Sequence, residues 1–414
     1  MSVSELSSLS AQSSYERPVR IAVVGVGTIT QSVHLPALRR LRASFELRAI
    51  CDASPARAAE IAALEGVDAV TDPEQLFARD DLDAVLIATP GSHGLLTAAA
   101  LEHGLHVLVE KPLSLTVAEA RRLQRSADDA GLTLQVGYMK MYDPVVELAR
   151  RELQEVGPVR LVRVTVLHPA DGGQIDHLHL APPLDDADPA LISEAVEHEA
   201  ALLREAVGAE LAVDPLGGWY RDVLHGSVIH ELSLLRALGA VLPNAFDHVS
   251  LWPWPRVGEP PCLLACACLP DTSAAPLGGA QLSLSWNWLP DLPRYEEEVA
   301  IFGERGSIVL SMAPPYLIDA RSMITVTRAG AGAAERIVIE PGPDGSFVTQ
   351  LMRFADSVTH GSPVLATADG VTQDSRCLQY LFAAAAAKRG LVPVGEAGDE
   401  LTGSVSADMD GRAR

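Results

Sequence analysis

Short apolar runs alternate with amphipathic stretches through the first third of the chain. Residues 20–25 (RIAVVG), 47–52, 83–88 (DAVLIA), 106–109 and 132–136 read as strands, and the first and third are apolar almost throughout. Such continuous runs belong to strands covered on both faces, as in parallel sheets. Between them, 30–41, 54–64, 93–103 and 116–130 space their apolar residues as helices do. Ser54 followed by Pro55 supplies an N-cap and a pre-set first turn. Repeated strand–helix units of this length predict a doubly wound parallel sheet over residues 18–140.

Beyond residue 140 the period changes. Residues 144–156 read as a helix and 159–168 (VRLVRVTVLH) as a long strand. Residues 183–214 hold nine Asp and Glu against one Arg, in a mostly helical pattern that presents a solvated face. This acidic insertion spans about 169–220. Residues 222–238 form another predicted helix. From 246 to 340, β-like runs separated by Pro and Gly (HVSLWPW, LLACACL, AQLSLSWNW, EEVAIFG, SIVLSM, MITVTR) predict a largely antiparallel sheet, followed by helices near 345–360 and 370–388. The expected organisation is therefore α/β, with the parallel domain followed by a larger α+β domain over 141–395. Polar, Ser-rich residues 1–17 and residues 396–414 read as disordered tails, and the first lacks the apolar core of a secretory signal.

Composition narrows the function. The 414 residues include 48% hydrophobic ones, enough for sizeable cores, and no run long and apolar enough to span a bilayer. A formal charge of −22 argues against nucleic acid or an anionic membrane as partner. Five cysteines, an odd number spread over a long chain, argue for a reducing cytoplasm rather than a disulfide scaffold. Lysine is rare. Only Lys111, Lys140 and Lys388 occur among 32 cationic side chains. In a chain that otherwise uses Arg, a Lys marks a place for a compact, titratable ammonium. Lys388 closes an Ala-rich helix, where a cation suits the dipole; Lys111 and Lys140 have no such explanation.

The candidate chemistry lies at strand ends. After the first strand comes Gly25-Val26-Gly27-Thr28-Ile29-Thr30. Gly25 permits the tight turn, Gly27 lets backbone approach a pyrophosphate, and the helix from Thr28 through Ile29 and Thr30 offers unpaired N–H groups. Thr30 stands where the usual pattern has a third Gly. Asp52 ends the second strand, where a carboxylate accepts ribose hydroxyls, repels a 2′-phosphate and so favours NAD; its other role would be helix capping. Arg57 is placed to reach such a phosphate, which keeps NADP open. Thr89 and Pro90 end the next strand and His93 starts its helix, while Glu110 and Lys111 enter the same crevice ahead of Pro112. Beside a nicotinamide, Lys111 could hydrogen-bond a substrate hydroxyl and stabilise a developing alkoxide.

In order along the chain stand G-x-G at 25–27, H-L-P-A-L at 34–38, C-D at 51–52, T-P…H at 89–93, E-K-P at 110–112 and G-Y-x-K-x-Y-x-P at 137–144. With these the sequence resembles the glucose–fructose oxidoreductase, inositol dehydrogenase and rhizopine-catabolism (Gfo/Idh/MocA) family over roughly 18–390, most strongly in the N-terminal third. The resemblance implies a Rossmann domain, NAD(P)-dependent oxidation or reduction of a sugar, cyclitol or related polyol, and a homo-oligomer, dimer or tetramer, built through the open sheet of the second domain. It implies that Lys111 contacts cofactor and substrate, that Lys140 lies near the active site, and that His230 matches the family's catalytic histidine. The family's aspartate four residues earlier is here Gly226, with Asp222 and His225 nearby. An imidazole alone can still take a hydroxyl proton while hydride leaves the same carbon. Catalytic Lys111 and His230 are thus expected, with no metal: Asp176-His177-Leu178-His179 lacks further ligands, and Cys262, Cys266 and Cys268 read as core thiols on one strand face. Trp286 and Trp288 are expected to pack one sheet face. Rival readings are a non-catalytic NAD-binding regulator or scaffold, a redox-neutral epimerase or eliminase holding its NAD, and an imine reductase.

Overall fold

The computed structural model describes residues 17–180, 184–253, 258–272, 275–330 and 332–398. The N-terminal tail expected over 1–17 therefore lies, but for Arg17, outside the described residues. The first domain holds β1 (Val19–Val24), β2 (Phe45–Cys51), β3 (Asp68–Val70), β4 (Ala84–Ile87), β5 (His106–Val109) and β6 (Leu134–Val136). All pair in parallel, in the order β3-β2-β1-β4-β5-β6. The winding reverses between β1 and β4, which opens a crevice at their carboxyl ends. Helices on both faces explain the uniformly apolar strands. Their ends follow local chemistry: the Ser54 and Thr116 side chains accept N–H groups of the helices Pro55–Glu65 and Val117–Ala130, which close on left-handed Gly66 and Gly131.

The second sheet has eight strands: β7 (Val159–His168), β8 (His248–Trp252), β9 (Cys262–Cys268), β10 (Gln281–Trp288), β11 (Glu296–Gly303), β12 (Gly306–Ser311), β13 (Met323–Ala329) and β14 (Ala334–Ile339). Their order is β14-β13-β12-β11-β7-β10-β9-β8. Pairing is antiparallel except between β7 and β10, because β7 enters the middle of the sheet from the first domain. Val162, Val164, Val166, Leu282, Leu284 and Trp286 form the buried face, and Arg163, Thr165, Ser283 and Ser285 lie on the opposite one. Cys262, Cys266 and Cys268 do share a face, but it is this outer one. Leu263, Ala265 and Ala267 are the inward set; Cys262 is buried as expected, but Cys266 is half-buried and Cys268 exposed.

Three features differ from the sequence reading. The helix expected over 222–238 is two: π turns over Tyr220–Val228, then an α-helix over Ile229–Ala237. The helix Ser346–His360 does not stay with the second sheet. Val348, Leu351, Phe354 and Ala355 join the core behind β1, and Phe354 stacks on Phe45 at 6.5 Å, so the expected 141–395 domain gives one helix back to the first. Finally, residue 396 is not the start of a tail. Glu396 accepts the N–H groups of Val117 and Ala118 (both 2.8 Å) and Ala397 is buried; residues 399–414 lie outside the described residues.

Candidate active site

The glycine loop begins the site. Gly25 has φ 87°, and a Cβ there would sit 2.7 Å from the Ala88 carbonyl oxygen on β4. Only glycine allows the two strand ends to approach so closely. A Cβ on exposed Gly27 would meet nothing within 4 Å, so this position opens onto free space. The first helical bond runs from Gln31 N–H to Gly27 O (3.1 Å), and the N–H groups of Thr28, Ile29 and Thr30 precede it in the first turn. Open space, a glycine-lined turn and a helix N-terminus fit a dinucleotide pyrophosphate. Thr30 contributes differently from expectation. Its side chain is fully buried and its hydroxyl donates to Gly25 O at 2.7 Å, so it holds the loop from behind.

Asp52 also shapes this loop, its Oδ2 accepting Val26 N–H and its Oδ1 accepting Ser54 N–H, both at 2.9 Å. It remains half-buried, with lone pairs left for ribose hydroxyls. Arg57 is buried and its guanidinium meets Glu60 at 2.8 Å, so its position does not favour a 2′-phosphate. Thr89 lines the cleft, whereas Pro90 is exposed. His93 is buried, with Nδ1 2.7 Å from Pro112 O and Nε2 2.8 Å from Thr89 O. Burial pushes its pKa down against those two carbonyls. It fastens the Thr89 loop to the Lys111-Pro112 turn and is a positioning residue rather than the cofactor contact expected.

The crevice widens into a cleft of about 210 Å³ between the two domains. Ile29, Ala88, Thr89, Glu110 and Lys111 line it from the Rossmann side; Lys140, His168, Gly226, Ser227, His230 and Tyr295 line it from the other. Lys111 Nζ donates to Gly226 O at 2.7 Å. Burial lowers its pKa, and Glu110 offsets this only in part. Burial opposes the charge of Glu110 too. The hydrogen bond with His34 Nε2 (2.8 Å) and the neighbouring Lys111 ammonium nevertheless hold its pKa below the ordinary value. His230 is buried, edge-on to Tyr138 at 6.3 Å, and its Nδ1 has no partner among the described residues. Burial, then Lys140 and Lys111, push it well below the ordinary histidine value, so it is a neutral proton acceptor.

Lys140 was expected to touch cofactor. It lines the cleft from within a buried cluster, with Nζ 2.8 Å from Glu231 Oε1 and 2.5 Å from Glu297 Oε2. Tyr295 donates its hydroxyl to the same Glu297 oxygen at 2.6 Å. Burial opposes the ammonium, but the two carboxylates outweigh it and raise the Lys140 pKa. One cation serves two acids, and Glu297 has the extra donor. Glu231 is therefore the surplus acid, pushed up to about 7 chiefly by burial. Glu231, Glu297 and Tyr295 escaped the sequence reading. The adjacency of Glu231 to His230 was the one available cue. His168 lines the cleft and packs against Trp286 (5.4 Å) and Trp288 (5.6 Å), so the two tryptophans pack the sheet's inner face behind it. Neither Asp222 nor His225 stands in for the missing aspartate: Asp222 pairs with Arg221, and His225 is sealed against Tyr220. No cluster of metal-ligating side chains occurs among the described residues.

Comparison with known proteins agrees with this geometry. A family model described as an oxidoreductase family with an NAD-binding Rossmann fold matches residues 19–138. Inositol 2-dehydrogenase 4 of Saccharopolyspora erythraea is 33% identical over 198 residues, 47% of this chain and 56% of that protein. The scyllo-inositol 2-dehydrogenase (NAD(+)) of Bacillus subtilis is 32% identical over 146 residues, 34% of this chain and 42% of that protein. The chain thus spans about half the length of these relatives. Solved structures extend the likeness in fold alone. A 3-ketoreductase from Actinomadura kijaniata in complex with NADP superposes with TM-score 0.63 at 21% identity, over 89% of this chain and 98% of that one. UDP-N-acetylglucosamine 3-dehydrogenase from Acidithiobacillus ferrooxidans does so with TM-score 0.62 at 19% identity, over the same shares.

Proposed function

We propose that this chain is an oxidoreductase of the Gfo/Idh/MocA type, an NAD(P)-dependent enzyme interconverting a secondary alcohol and a ketone on a sugar, cyclitol or related small molecule. The observation that carries the reading is Lys111. Its ammonium leaves the end of β5, crosses the cleft to Gly226 O at 2.7 Å, and shares that cleft with His230 and the glycine-loop residue Ile29.

When bound, a nicotinamide would supply the redox chemistry, as acceptor of a hydride from the carbinol carbon or its donor to the ketone. Gly25, Gly27 and the first turn from Thr28 would hold the pyrophosphate, and Asp52 the ribose. Lys111 donates a hydrogen bond to the substrate oxygen and stabilises negative charge developing there. Burial makes its ammonium readier to share a proton than an ordinary lysine. His230 takes the hydroxyl proton through Nε2, since Nδ1 is buried, and returns it in the reverse direction. Glu231, the next residue, is a buried acid able to hold a proton near neutral pH.

The cation-rich, aromatic-walled cleft suits a hydroxylated substrate. We place the enzyme in the cytoplasm, where its five free cysteines would stay reduced; no helix among the described residues is long and apolar enough to cross a membrane. The outer face of the second sheet is the proposed homo-oligomer contact, which light scattering reads directly. The test of function is nicotinamide reduction by wild type and Lys111→Ala across a panel of cyclitols and sugars. Wild type should turn over at least one polyol, and the variant should lose about 100-fold or more in kcat with unchanged circular dichroism. Equal turnover in the variant would remove Lys111 from the chemistry. Cofactor binding without hydride transfer to any polyol would favour the regulator, the reading to which Gly226 at the aspartate position points.

A further inference from the structure

The acidic insertion does not simply cover solvent. It returns to the Rossmann domain at two loops that flank the crevice. At one, the carboxylate of Asp186 accepts the Ser54 hydroxyl on Oδ1 and the Ala56 N–H on Oδ2 (2.9 Å), and Asp188 N–H donates to Ala53 O at 3.0 Å. At the other, Glu199 Oε2 accepts Ser92 N–H at 2.8 Å, and His198 meets Glu119 at 2.9 Å. The helix Pro189–Val207 thus bridges the loop after β2 and the loop after β4.

The loop after β2 is where a Rossmann domain meets the adenosine ribose, and where a 2′-phosphate must be accommodated if the dinucleotide carries one. A hydroxyl and free N–H groups at the start of the 11-residue helix Pro55–Glu65 would ordinarily welcome that phosphate. Here acidic side chains accept from three of these donors, and the Ser54 hydroxyl oxygen itself takes Arg57 N–H at 3.1 Å. Ser54 N–H goes to Asp52, while Ser54 Oγ and Ala56 N–H go to Asp186. The loop's cation, Arg57, is matched to Glu60. Resting on the dinucleotide reading above, we propose that Asp186 is a specificity-determining residue: the insertion lends its carboxylate to the anion-binding end of this helix and thereby excludes 2′-phosphorylated dinucleotides, so the chain selects NAD(H) over NADP(H). The hydrogen bonds from Ser54 and Ala56 also hold Asp186 below the ordinary carboxylate pKa, so its charge persists through the neutral range. Asp52 and Asp186 then present two negative charges to a group that is itself close to a dianion. The second charge comes from a segment more than 130 residues away, where a reading of the β2 loop alone could not find it.

The test is equilibrium binding to the full-length protein, read by nicotinamide fluorescence during titration with NADH and with NADPH. Wild type should prefer NADH. Asp186→Ala should shrink that preference about tenfold, mainly by tightening NADPH, because one charge facing a dianion at short range in water-like surroundings is worth about that factor. Asp186→Asn, which keeps the shape of the contact and removes the charge, should shift the ratio in the same direction. Asp185→Ala, an equal charge change at an exposed neighbour, should leave it within about twofold. An unchanged ratio in Asp186→Ala, or equal weakening of both dinucleotides, would reduce Asp186 to a structural cap and overturn the proposal. So would a wild type that binds NADPH as tightly as NADH. A wild type that binds neither overturns the dinucleotide reading beneath it.

Discussion

Replacing Lys140 by Met tests the buried cluster most directly, because Met retains the length of the side chain and removes the charge. Lys140, Glu231 and Glu297 are 6%, 1% and 0% exposed, so water cannot take the place of the missing ammonium. Two ionised carboxylates without a cation are too costly at that depth, and the variant escapes by protonating. Glu231, pushed up to about 7 chiefly by burial, already tends to take up a proton near neutrality and cannot by itself discharge the cluster. Holding one more glutamate protonated at pH 7, against an unfolded-state pKa near 4.5, costs about 3.4 kcal/mol at about 1.4 per pH unit. That lies within the roughly 3–5 kcal/mol found when one partner of a buried pair is removed. The sign of the pH dependence follows. Carboxyls with raised folded pKa values contribute stability that is complete below about 4.5 and is lost as pH rises through the folded value. Wild type loses some through Glu231; the variant loses more. At pH 5 the extra protonation costs only about 0.7 kcal/mol, so the gap between the two proteins should nearly close. Urea unfolding followed by circular dichroism at pH 5 and pH 7 measures both gaps. Lys140→Met/Glu297→Gln should recover most of the loss at pH 7. A gap below about 1 kcal/mol at pH 7, or one that persists at pH 5, would refute the argument.

The glycine loop offers a paired test. Gly25→Ala, which forces a Cβ to 2.7 Å from Ala88 O at positive φ, should destabilise the protein by about 1–3 kcal/mol, while Gly27→Ala should leave stability within about 0.5 kcal/mol yet weaken NADH binding. Calorimetric melting and NADH titration of both variants check this, and loss of stability in Gly27→Ala would contradict the open space seen there. Gly226→Asp restores a carboxylate beside Lys111 and four residues before His230, and its Cβ has room, with the nearest neighbour at 3.7 Å. A negative charge favours imidazolium, so the acid limb of the kcat/KM profile should move to higher pH, and an unmoved limb would show that Gly226 does not face the proton acceptor.

The first domain was legible because its central strands β1, β4 and β5 are covered on both sides and read as nearly continuous apolar runs. What failed to register was marginal or polar. β3 is a three-residue edge strand with two exposed positions, and β14 is an edge strand reading Ala-Glu-Arg-Ile-Val-Ile. Edge strands need no buried face, so they leave little hydrophobic signal. The parity of Cys262, Cys266 and Cys268 was correct, but parity cannot say which face is inward. On β9 the alternate set of Leu263, Ala265 and Ala267 is equally apolar, and the helices beneath the sheet decided between them. The return of Ser346–His360 to the first domain had no local cue either, since an amphipathic helix carries a stripe and not an address.

The site divides along the same line. Glycines, Asp52, Glu110 and Lys111 all belong to βα turns of one domain, where position along the chain fixes position in space. Lysine scarcity picked out Lys140 as unusual, but its partners stand 91 and 157 residues away and only the topology joins them. The departure at Gly226 shows how such joining alters a motif's meaning. Read as sequence, the glycine is a lost carboxylate. In the fold it lies within nine residues of π turns, a geometry common at functional sites, and its carbonyl oxygen is what Lys111 grips. A carbonyl dipole draws the ammonium into the cleft without the full charge that would hold it in a salt bridge. Burial then leaves Lys111 with a lowered pKa, and burial with the two neighbouring lysines leaves His230 the neutral ring that proton acceptance needs. With Lys111 held by a carbonyl and His230 kept neutral, the glycine at this position does not by itself argue for loss of catalysis.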